Sequence, residues 1–412
     1  MVIKHMNVMI VEPNGSGHHM ALYVRHVARK LVEAGIKVSL LTTQSAIANP
    51  SFNLVRADVG DNIDLYFMSE LLKFNSYSTV MLLFSELNAW FALRKRFAKI
   101  AKELRPDIVY VPTLDWMAKA TELFGSPFGN TPFVALYMSP KHHRKVMGLG
   151  LASRQDWLYH KLFQRLLKIE TLQKILVIDE FFFEYCQKHY GELTQKVKYI
   201  PDFGELRGSG TKRDCRLALG IGIDKKVILV YGSLTKRKGI FELCEAFLSP
   251  NVPDDVILLL AGKADEEIDS IMKTNRIKKL VESGRIVTQL FFHPDDEEYR
   301  VFMSSDYVWI GYTSGFYASS GVLYQAASIG LPVISMQDGL IGRIVKKHSL
   351  GKLINVGNPN TIVEALCEAV LLEDRIAASS ENKSFLRLHA PDCHSSSVLE
   401  TLKSVTSKGE NK

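Results

Sequence analysis

Residues 307–335 constrain the fold of this chain more strongly than any other stretch. An apolar segment, Tyr307–Gly311, is followed by a polar loop and then by apolar residues at helical spacing from Gly321 onward. Gly330 is expected to end this helix, and the short apolar segment Val333–Ser335 follows it. The stretch therefore predicts a strand, a helix and a second strand, which is the repeating unit of an α/β fold.

Two serines and a glycine, Ser319, Ser320 and Gly321, lie at the predicted start of this helix. The first turn of a helix presents unpaired backbone N–H groups and the positive end of the helix dipole, so it attracts anions. A helix cap by itself requires only one serine. We therefore expect an anion site here, with N-capping by a serine as the alternative.

The beginning of the chain has the same strand, loop and helix pattern. Val8–Val11 is apolar, Met20–Ala34 has helical spacing, and Ile36–Leu41 is apolar again, which predicts a parallel βαβ unit. The intervening loop contains Gly15-Ser16-Gly17, whose backbone N–H groups can approach a phosphate. The third glycine of a dinucleotide fingerprint is replaced by Met20, and no acidic residue follows the second strand, so an NAD enzyme is disfavoured.

Three further residues of the first half are candidates for chemistry. His18 and His19 follow the glycine loop and can contact substrate, act as a base, or simply begin the helix. Asp115 follows the apolar strand Ile108–Val111, at the strand end where open α/β sheets bind ligands. The alternative for Asp115 is to N-cap the predicted helix Trp116–Phe124.

A basic loop in the second half lies at the end of a predicted strand, Val227–Tyr231. It runs Gly232-Ser-Leu-Thr-Lys-Arg-Lys-Gly239 and is followed by a helix. In a parallel sheet this loop and the loop before Gly321 share one edge, so Lys236, Arg237 and Lys238 would converge with the helix N–H groups on one diphosphate. The alternative is a solvated basic run.

Two other basic segments occur in the first half. Leu93, Phe97, Ile100 and Leu104 share one face of a helix whose other faces are basic, so the helix either packs on its own sheet or lies on an anionic membrane. The run Lys141–Lys145 is expected to be solvated rather than to contact an acidic substrate.

Charge and composition indicate which class of partner and which cellular location to expect. Residues 1–205 hold 25 Lys and Arg against 19 Asp and Glu, a net charge of +6, whereas the remainder holds 26 against 25. A basic first half indicates an anionic partner, but no helix-turn-helix or base-stacking motif supports nucleic acid. The five cysteines have no disulfide or metal spacing, and the apolar runs are too short to span a bilayer. Both features favour a cytoplasmic protein, and the basic first half leaves the inner membrane face open as its place of work.

These patterns together resemble the GT-B glycosyltransferases, specifically the family-4-type (group 1) nucleotide-sugar enzymes. The segments that carry the resemblance occur in the family's order: LQKILVIDEFFFEYC, YIPDFGE, Gly232 to Lys238-Gly239, FMSSDYVWIGY and SGVLYQAASIGLPVIS. The resemblance implies an α/β fold with two Rossmann-like parallel-sheet domains facing a central cleft. We predict an acceptor-side domain over 1–205, a donor-binding domain over 206–390, and a C-terminal helix in 391–412 that packs back on the first domain.

The resemblance also implies how a donor would be held. Lys238 would neutralise the diphosphate of a nucleotide sugar, while Ser320, Gly321 and Val322 would donate backbone N–H groups to it. The Gly15–Gly17 loop would face the same phosphates from the first domain. No further cofactor is expected, because the nucleotide sugar is a co-substrate, and the acceptor would be a glycan or a lipid-linked glycan.

Three positions depart from the family's pattern. The family's arginine after the glycine of the first phosphate loop is replaced by Ser233, so Arg237 or Lys236 is expected to substitute for it. The family's paired glutamates fall on Tyr317 and Gln325, of which Gln325 can still hydrogen-bond a ribose hydroxyl. The family's histidine after strand 108–111 is replaced by Thr113 or Asp115.

The sequence thus predicts a retaining, metal-independent hexosyltransferase of cell-surface polysaccharide or glycoconjugate synthesis. A metal motif is missing, because Asp295-Asp296 is expected to begin a helix. One alternative is inverting transfer with His18, His19 or Asp115 as the base. The others are a 2-epimerase-like enzyme and a pseudoenzyme that binds sugar nucleotides.

Overall fold

A computed structural model describes residues 6–15, 19–71, 79–313, 316–371 and 380–407. The chain forms two compact units. Unit 1 comprises residues 1–147, 151–202 and 391–412, and unit 2 comprises residues 148–150 and 203–390. No helix among the described residues combines the length and the apolar character needed to cross a membrane.

Unit 1 is built on a parallel sheet of seven strands within its described residues, in the order β3-β2-β1-β4-β5-β6-β7. The strands are β1 (Asn7–Val11), β2 (Lys37–Thr42), β3 (Ile63–Phe67), β4 (Ile108–Val111), β5 (Phe133–Tyr137), β6 (Leu172–Val177) and β7 (Val197–Tyr199). The helices are α1 (Arg25–Glu33), α2 (Gln44–Ile47), α3 (Ser51–Val59), α4 (Thr79–Leu104), α5 (Ala118–Phe124), α6 (Asp156–Leu167), α7 (Glu180–His189) and, at the end of the chain, α17 (Pro391–Ser407).

Unit 2 is built on a second parallel sheet, in the order β10-β9-β8-β11-β12-β13. Its strands are β8 (Lys226–Tyr231), β9 (Val256–Ala261), β10 (Ile286–Gln289), β11 (Tyr307–Ile310), β12 (Val333–Met336) and β13 (Gly351–Ile354). Its helices are α8 (Lys212–Ala218), α9 (Ile240–Ala246), α10 (Glu266–Met272), α11 (Asn275–Glu282), α12 (Asp295–Met303), α13 (Gly321–Ser328), α14 (Gly339–Lys347), α15 (Pro359–Leu371) and α16 (Ser380–Leu388).

The apolar strand sequences explain why both sheets are parallel and covered. Every residue of β9, VILLLA, is buried, and β4 and β11 are buried along their whole length. Strands without alternation of apolar and polar residues require helices on both faces, which the crossover helices of a parallel sheet provide. Helix ends follow local signals: Gly35 has φ +72° just after α1, and Asp179 caps α7 by accepting hydrogen bonds from Phe181 and Phe182 N–H.

The C-terminal helix α17 is part of unit 1. The Lys30 ammonium on α1 lies 3.2 Å from the Asp392 carboxylate. His394 Nδ1 lies 2.8 Å from the Pro201 carbonyl oxygen, and the His394 ring meets Tyr23 edge-on at 5.4 Å between centroids. These contacts attach α17 to α1, to the turn before it and to the segment after β7.

Several boundaries differ from the sequence prediction. The helix expected over Met20–Ala34 begins with a π-helical turn, His19–Val24, before α1. The helix expected to begin at Trp116 is preceded by a 3-10 turn, Leu114–Trp116, and α5 begins at Ala118. In both places the sequence has helical spacing, which does not distinguish an α-helical first turn from a 3-10 or π-helical one.

The basic amphipathic helix packs on its own sheet in its second half. Leu93, Phe97 and Ile100 are buried in the unit 1 core, whereas Phe84 and Phe91 nearer its start are more than half exposed. The packing alternative is therefore confirmed for residues 93–100. The exposed side chains of Phe84 and Phe91, in the first half of α4, are not part of the unit 1 core.

The expectation of a solvated run at Lys141–Lys145 is wrong for its two histidines. His142 and His143 are buried among the aromatic rings of α6 and α7, and His142 Nε2 lies 2.8 Å from the Tyr190 hydroxyl. Burial lowers the pKa of His142 to about 3, so its imidazole is neutral. His143 Nε2 lies 2.9 Å from the Asp179 carboxylate. Only tertiary packing, not the local basic sequence, reveals this burial.

Candidate functional site

Both sheets place polar loops at their topological switch points. In unit 1, β2 lies on one side of β1 and β4 on the other; in unit 2, β9 and β11 flank β8 in the same way. Open α/β sheets bind ligands at the carboxyl ends of such central strands, where the following loops diverge. The loops after β1 and β4 in unit 1, and those after β8 and β11 in unit 2, are therefore the expected ligand-binding positions.

Lys238 is a buried cation at the carboxyl end of β8 in unit 2. Its side chain reaches back to the end of β8, where Nζ donates a hydrogen bond to the Tyr231 carbonyl oxygen. Its own carbonyl accepts a hydrogen bond of 2.8 Å from Trp309 Nε1 on β11, which fixes the backbone. Burial, aided by the nearby Arg237 guanidinium, lowers the pKa of Lys238 from 10.5 to about 8. The site thus holds a desolvated ammonium that an anion would stabilise.

The two other cations of this loop have different surroundings. The Arg237 guanidinium stacks over the rings of Phe316 and Tyr312, at 4.8 and 5.5 Å from their centroids. Lys236 is exposed and lies 3.0 Å from the Glu267 carboxylate. Of the two candidates for the family's missing arginine, Arg237 is therefore the one held beside the second loop.

The loops after β8 and β11 are directly connected. Thr313 N–H donates a hydrogen bond of 2.9 Å to the Arg237 carbonyl oxygen. Gly239 has φ +64°, and a Cβ on it would lie 2.2 Å from the Gly311 carbonyl oxygen. Gly232 has φ +94°, and Ser233 beside it is exposed. Glycine is required at 239 because the two loops approach each other more closely than any side chain allows.

The start of α13 is not capped by a side chain. Ser320 has the extended backbone of an N-cap, but its Oγ lies 3.0 Å from the Tyr312 hydroxyl and makes no capping hydrogen bond. A Cβ on Gly321 would meet nothing within 4 Å, so the approach to this first turn is open. Ser319 Oγ is buried and finds no hydrogen-bond partner among the described residues. The serine-capping alternative is wrong, and the N–H groups of Gly321 and Val322 begin an uncapped helix.

The two positions that depart from the family's glutamates are engaged with other residues. Gln325, one turn into α13, donates from Nε2 a hydrogen bond of 2.8 Å to the Glu298 carboxylate. Tyr317 packs its ring so closely on Gly339 and Gly150 that a Cβ on either would lie 3.2 Å from it. Neither Glu298 nor its partner Tyr231 was singled out from the sequence.

In unit 1, only part of the predicted glycine loop can be described. Gly15 is buried, and a Cβ on it would lie 2.4 Å from Ala46 Cα, so glycine is required there by close backbone packing. Ser16, Gly17 and His18 lie outside the described residues. The phosphate-binding role of this loop stays a prediction.

His19 meets residues from the ends of two strands. Its Nδ1 lies 2.8 Å from Thr113 Oγ1, after β4, and 3.6 Å from Glu12 Oε2, after β1. Burial by itself would lower the pKa of His19, but the Glu12 and Asp115 carboxylates outweigh it and raise the pKa. Glu12 is fully buried and was missed in the sequence, where it stands as an ordinary loop residue at the end of an apolar strand.

Asp115 does not cap a helix. Its two carboxylate oxygens accept hydrogen bonds of 2.9 Å each from Met138 and Ser139 N–H, in the loop after β5. Burial raises the pKa of Asp115 in spite of these hydrogen bonds and the nearby His19. The N-cap alternative is wrong, and Asp115 instead connects the loops after β4 and β5 beside His19.

The sequence of unit 2 matches a known family. Residues 213–384 match the family model for glycosyl transferases group 1. No curated protein matches the sequence significantly. The matched segment contains the loop 232–239, the start of α13 and Gln325.

Solved structures of similar fold cover nearly the whole chain. Sucrose-phosphate synthase from Thermosynechococcus elongatus is 15% identical, with a TM-score of 0.70 over 98% of this chain and 100% of that one. Anabaena HepE in complex with UDP and glucose is 16% identical, with a TM-score of 0.65 over 97% and 100%. WaaG, a glycosyltransferase involved in lipopolysaccharide biosynthesis, is 14% identical, with a TM-score of 0.61 over 95% and 98%. The predicted GT-B fold is thereby confirmed.

Proposed function

We propose that this chain, a glycosyltransferase whose residues 213–384 form a glycosyl transferases group 1 domain, moves a sugar from a nucleoside-diphosphate sugar to an acceptor hydroxyl. The observation that carries the proposal is that the uncapped start of α13 and the desolvated ammonium of Lys238 follow neighbouring parallel strands, at one edge of the unit 2 sheet. An anion with two phosphates suits a site that offers both helix N–H groups and a cation. The HepE structures contain UDP and UDP-glucose, which supports this donor class.

The chemistry of transfer follows from this arrangement. The bond between the anomeric carbon and the diphosphate breaks, and negative charge builds up on the departing phosphate oxygen. Lys238, Arg237 and the N–H groups of Gly321 and Val322 stabilise that charge, so they lower the barrier without a metal ion. Removing one such contact costs about 10²–10³ in rate.

Retention is the first stereochemical proposal. The departing phosphate takes the proton of the acceptor hydroxyl while the new bond forms on the same face of the sugar, so no protein base is needed. The bond from the anomeric carbon to the diphosphate breaks, the bond to the acceptor oxygen forms, and the acceptor proton leaves on the released diphosphate.

Inversion is the second candidate, and the surroundings of His19 favour it. A general base needs a fixed imidazole and a pKa near the working pH. Thr113 Oγ1 lies 2.8 Å from the ring, and the nearby carboxylates raise the pKa of His19, which strengthens it as a proton acceptor. In an inverting reaction His19 would take the proton of the acceptor hydroxyl, and the product would have the opposite anomeric configuration to the donor.

The acceptor is proposed to be a glycan or lipid-linked glycan at an anionic membrane surface. The exposed apolar side chains at the start of α4, including Phe84 and Phe91, precede a helix face with the exposed cations Arg94, Lys95 and Lys99. Apolar and cationic groups on one helix suit the interface of an anionic bilayer. A role in cell-surface polysaccharide or glycoconjugate synthesis at the inner membrane face is consistent with this surface.

A two-stage experiment tests the proposed function. Thermal-shift measurements with nucleoside diphosphates and their sugars identify the donor, because a ligand at 100 times its Kd stabilises the folded state by about 2.7 kcal/mol. The donor is then incubated with glycan acceptors, and the product is identified by mass and by its anomeric configuration. Transfer confirms the proposal; a free epimerised sugar, or binding without any reaction of the donor, would contradict it.

A further inference from the structure

The Glu298 carboxylate joins three structural elements of unit 2. It lies in the first turn of α12 and accepts a hydrogen bond of 2.8 Å from Gln325 Nε2 on α13. The Tyr231 hydroxyl, at the end of β8, donates a hydrogen bond to the same carboxylate. Helix α12 follows β10 and helix α13 follows β11, so in a parallel sheet both first turns lie at the carboxyl edge beside Tyr231.

No cation compensates this carboxylate within the described part of the chain. The side chain is half-buried, and burial raises the pKa of Glu298, an effect that the hydrogen bonds from Tyr231 and Gln325 oppose and the Asp295 carboxylate increases. A partly desolvated carboxylate that lacks a basic partner costs stability and calls for an explanation. Packing does not explain why residue 298 is charged, because an uncharged glutamine would fill the same volume.

Tyr231 connects this carboxylate to the proposed phosphate site. The carbonyl oxygen of Tyr231 accepts the hydrogen bond of Lys238 Nζ, while its hydroxyl donates to Glu298. The Lys238 ammonium attracts phosphates and the Glu298 carboxylate repels them. The two groups therefore contact opposite ends of Tyr231. A ligand that contacts both must carry its phosphates at one end and uncharged hydrogen-bond donors at the other.

We infer that Glu298 accepts hydrogen bonds from the ribose hydroxyls of the donor nucleotide, with Tyr231 and Gln325 as positioning residues that orient the carboxylate. This inference rests on the proposed function, which supplies the nucleoside diphosphate. An ionised carboxylate has about four acceptor positions, and the two protein donors leave room for two hydroxyls. Acidic residues bind ribose hydroxyls in the same manner in dinucleotide-binding α/β folds.

The test compares ribose with dideoxyribose by isothermal titration calorimetry. UDP, ADP and GDP are titrated into the full chain, and the one that binds is compared with its 2′,3′-dideoxy counterpart. We expect the dideoxy nucleotide to bind about 10- to 100-fold more weakly to the wild-type protein, because it leaves a carboxylate without its donors. In Glu298→Ala the two nucleotides should bind within about threefold of each other.

Two further variants keep the test decisive. Asp296→Ala removes one negative charge from the same helical turn at an exposed position, and it should retain the full preference for ribose. Glu298→Gln preserves the shape of the side chain, and it should lose most of the preference if Glu298→Ala fails to fold. A wild-type protein that binds ribose and dideoxyribose nucleotides equally, or a preference that survives both Glu298 variants, would overturn the inference while the diphosphate site stands. Binding of no nucleoside diphosphate at all would instead overturn the proposed function.

Discussion

The lowered pKa of Lys238 predicts that a nucleoside diphosphate binds together with a proton. In the free protein this pKa is about 8 because the ammonium is buried and Arg237 lies nearby. A diphosphate beside Nζ favours the charged form and raises the pKa again. Binding should therefore take up about 0.1 proton at pH 7, about 0.5 at pH 8 and about 0.9 at pH 9. The affinity should fall about tenfold between pH 7 and pH 9 for the same reason.

Calorimetric titration in two buffers of different ionisation enthalpy measures this uptake directly. Lys238→Met should abolish the uptake and weaken binding, whereas Lys236→Met should leave the uptake unchanged, because Lys236 is exposed and paired with Glu267. The reasoning would be refuted if the wild-type protein took up no proton at pH 8, or if Lys238→Met took up as much as the wild type.

The same shift predicts how stability depends on pH. Between pH 8 and 10.5 the lysine is charged in the unfolded chain but neutral in the folded one, so the unfolded state binds more protons and stability rises with pH. The free energy of unfolding of the wild type, compared with Lys238→Met, should increase across this window by up to about 3 kcal/mol. Chemical denaturation at pH 7.5 and pH 10.5 measures the difference.

Three other predictions follow from particular contacts. Glu12→Gln should lower the pKa of His19, because the carboxylate raises it; an NMR titration of the ring, assigned with a His19 variant, would contradict this if the pKa stayed unchanged. Gly239→Ala should lower the free energy of unfolding by about 2 kcal/mol or more, since the residue has φ +64° and no room for a Cβ; denaturation with wild-type stability would argue against the close loop contact. Replacing Phe84 and Phe91 together by serine should reduce flotation with anionic liposomes at least severalfold without changing the fold seen by circular dichroism, and undiminished flotation would exclude this surface as the membrane contact.

Local sequence was sufficient for several of the strands and helices that carry the candidate site. The strand, helix and strand expected over 307–335 are present as β11, α13 and β12, because each is specified by its own periodicity and by turn residues at its ends. The helix expected to begin at Asp295 begins there, with four acidic residues in its first turn.

Contacts between distant parts of the chain could not be predicted in this way. His19 and Thr113 are 94 positions apart, and Gln325 and Glu298 are 27 apart, so no local pattern relates them. Glu12 resembles an ordinary loop residue in the sequence, and only the structure shows that it is buried and lies 3.6 Å from His19. The sequence therefore predicted which loops are candidates for binding, while the structure was needed to say which polar groups come together in them.

The most direct test of the central claim is the rate of sugar transfer by Lys238→Ala, with Lys236→Ala as the matched control. The ammonium of Lys238 is proposed to stabilise the leaving diphosphate, so kcat of Lys238→Ala should fall about 10²–10³-fold. Lys236→Ala should stay within about twofold of the wild type, because an exposed ion pair contributes little. Full activity of Lys238→Ala, or an equal loss in both variants, would contradict the assignment of the diphosphate to this loop.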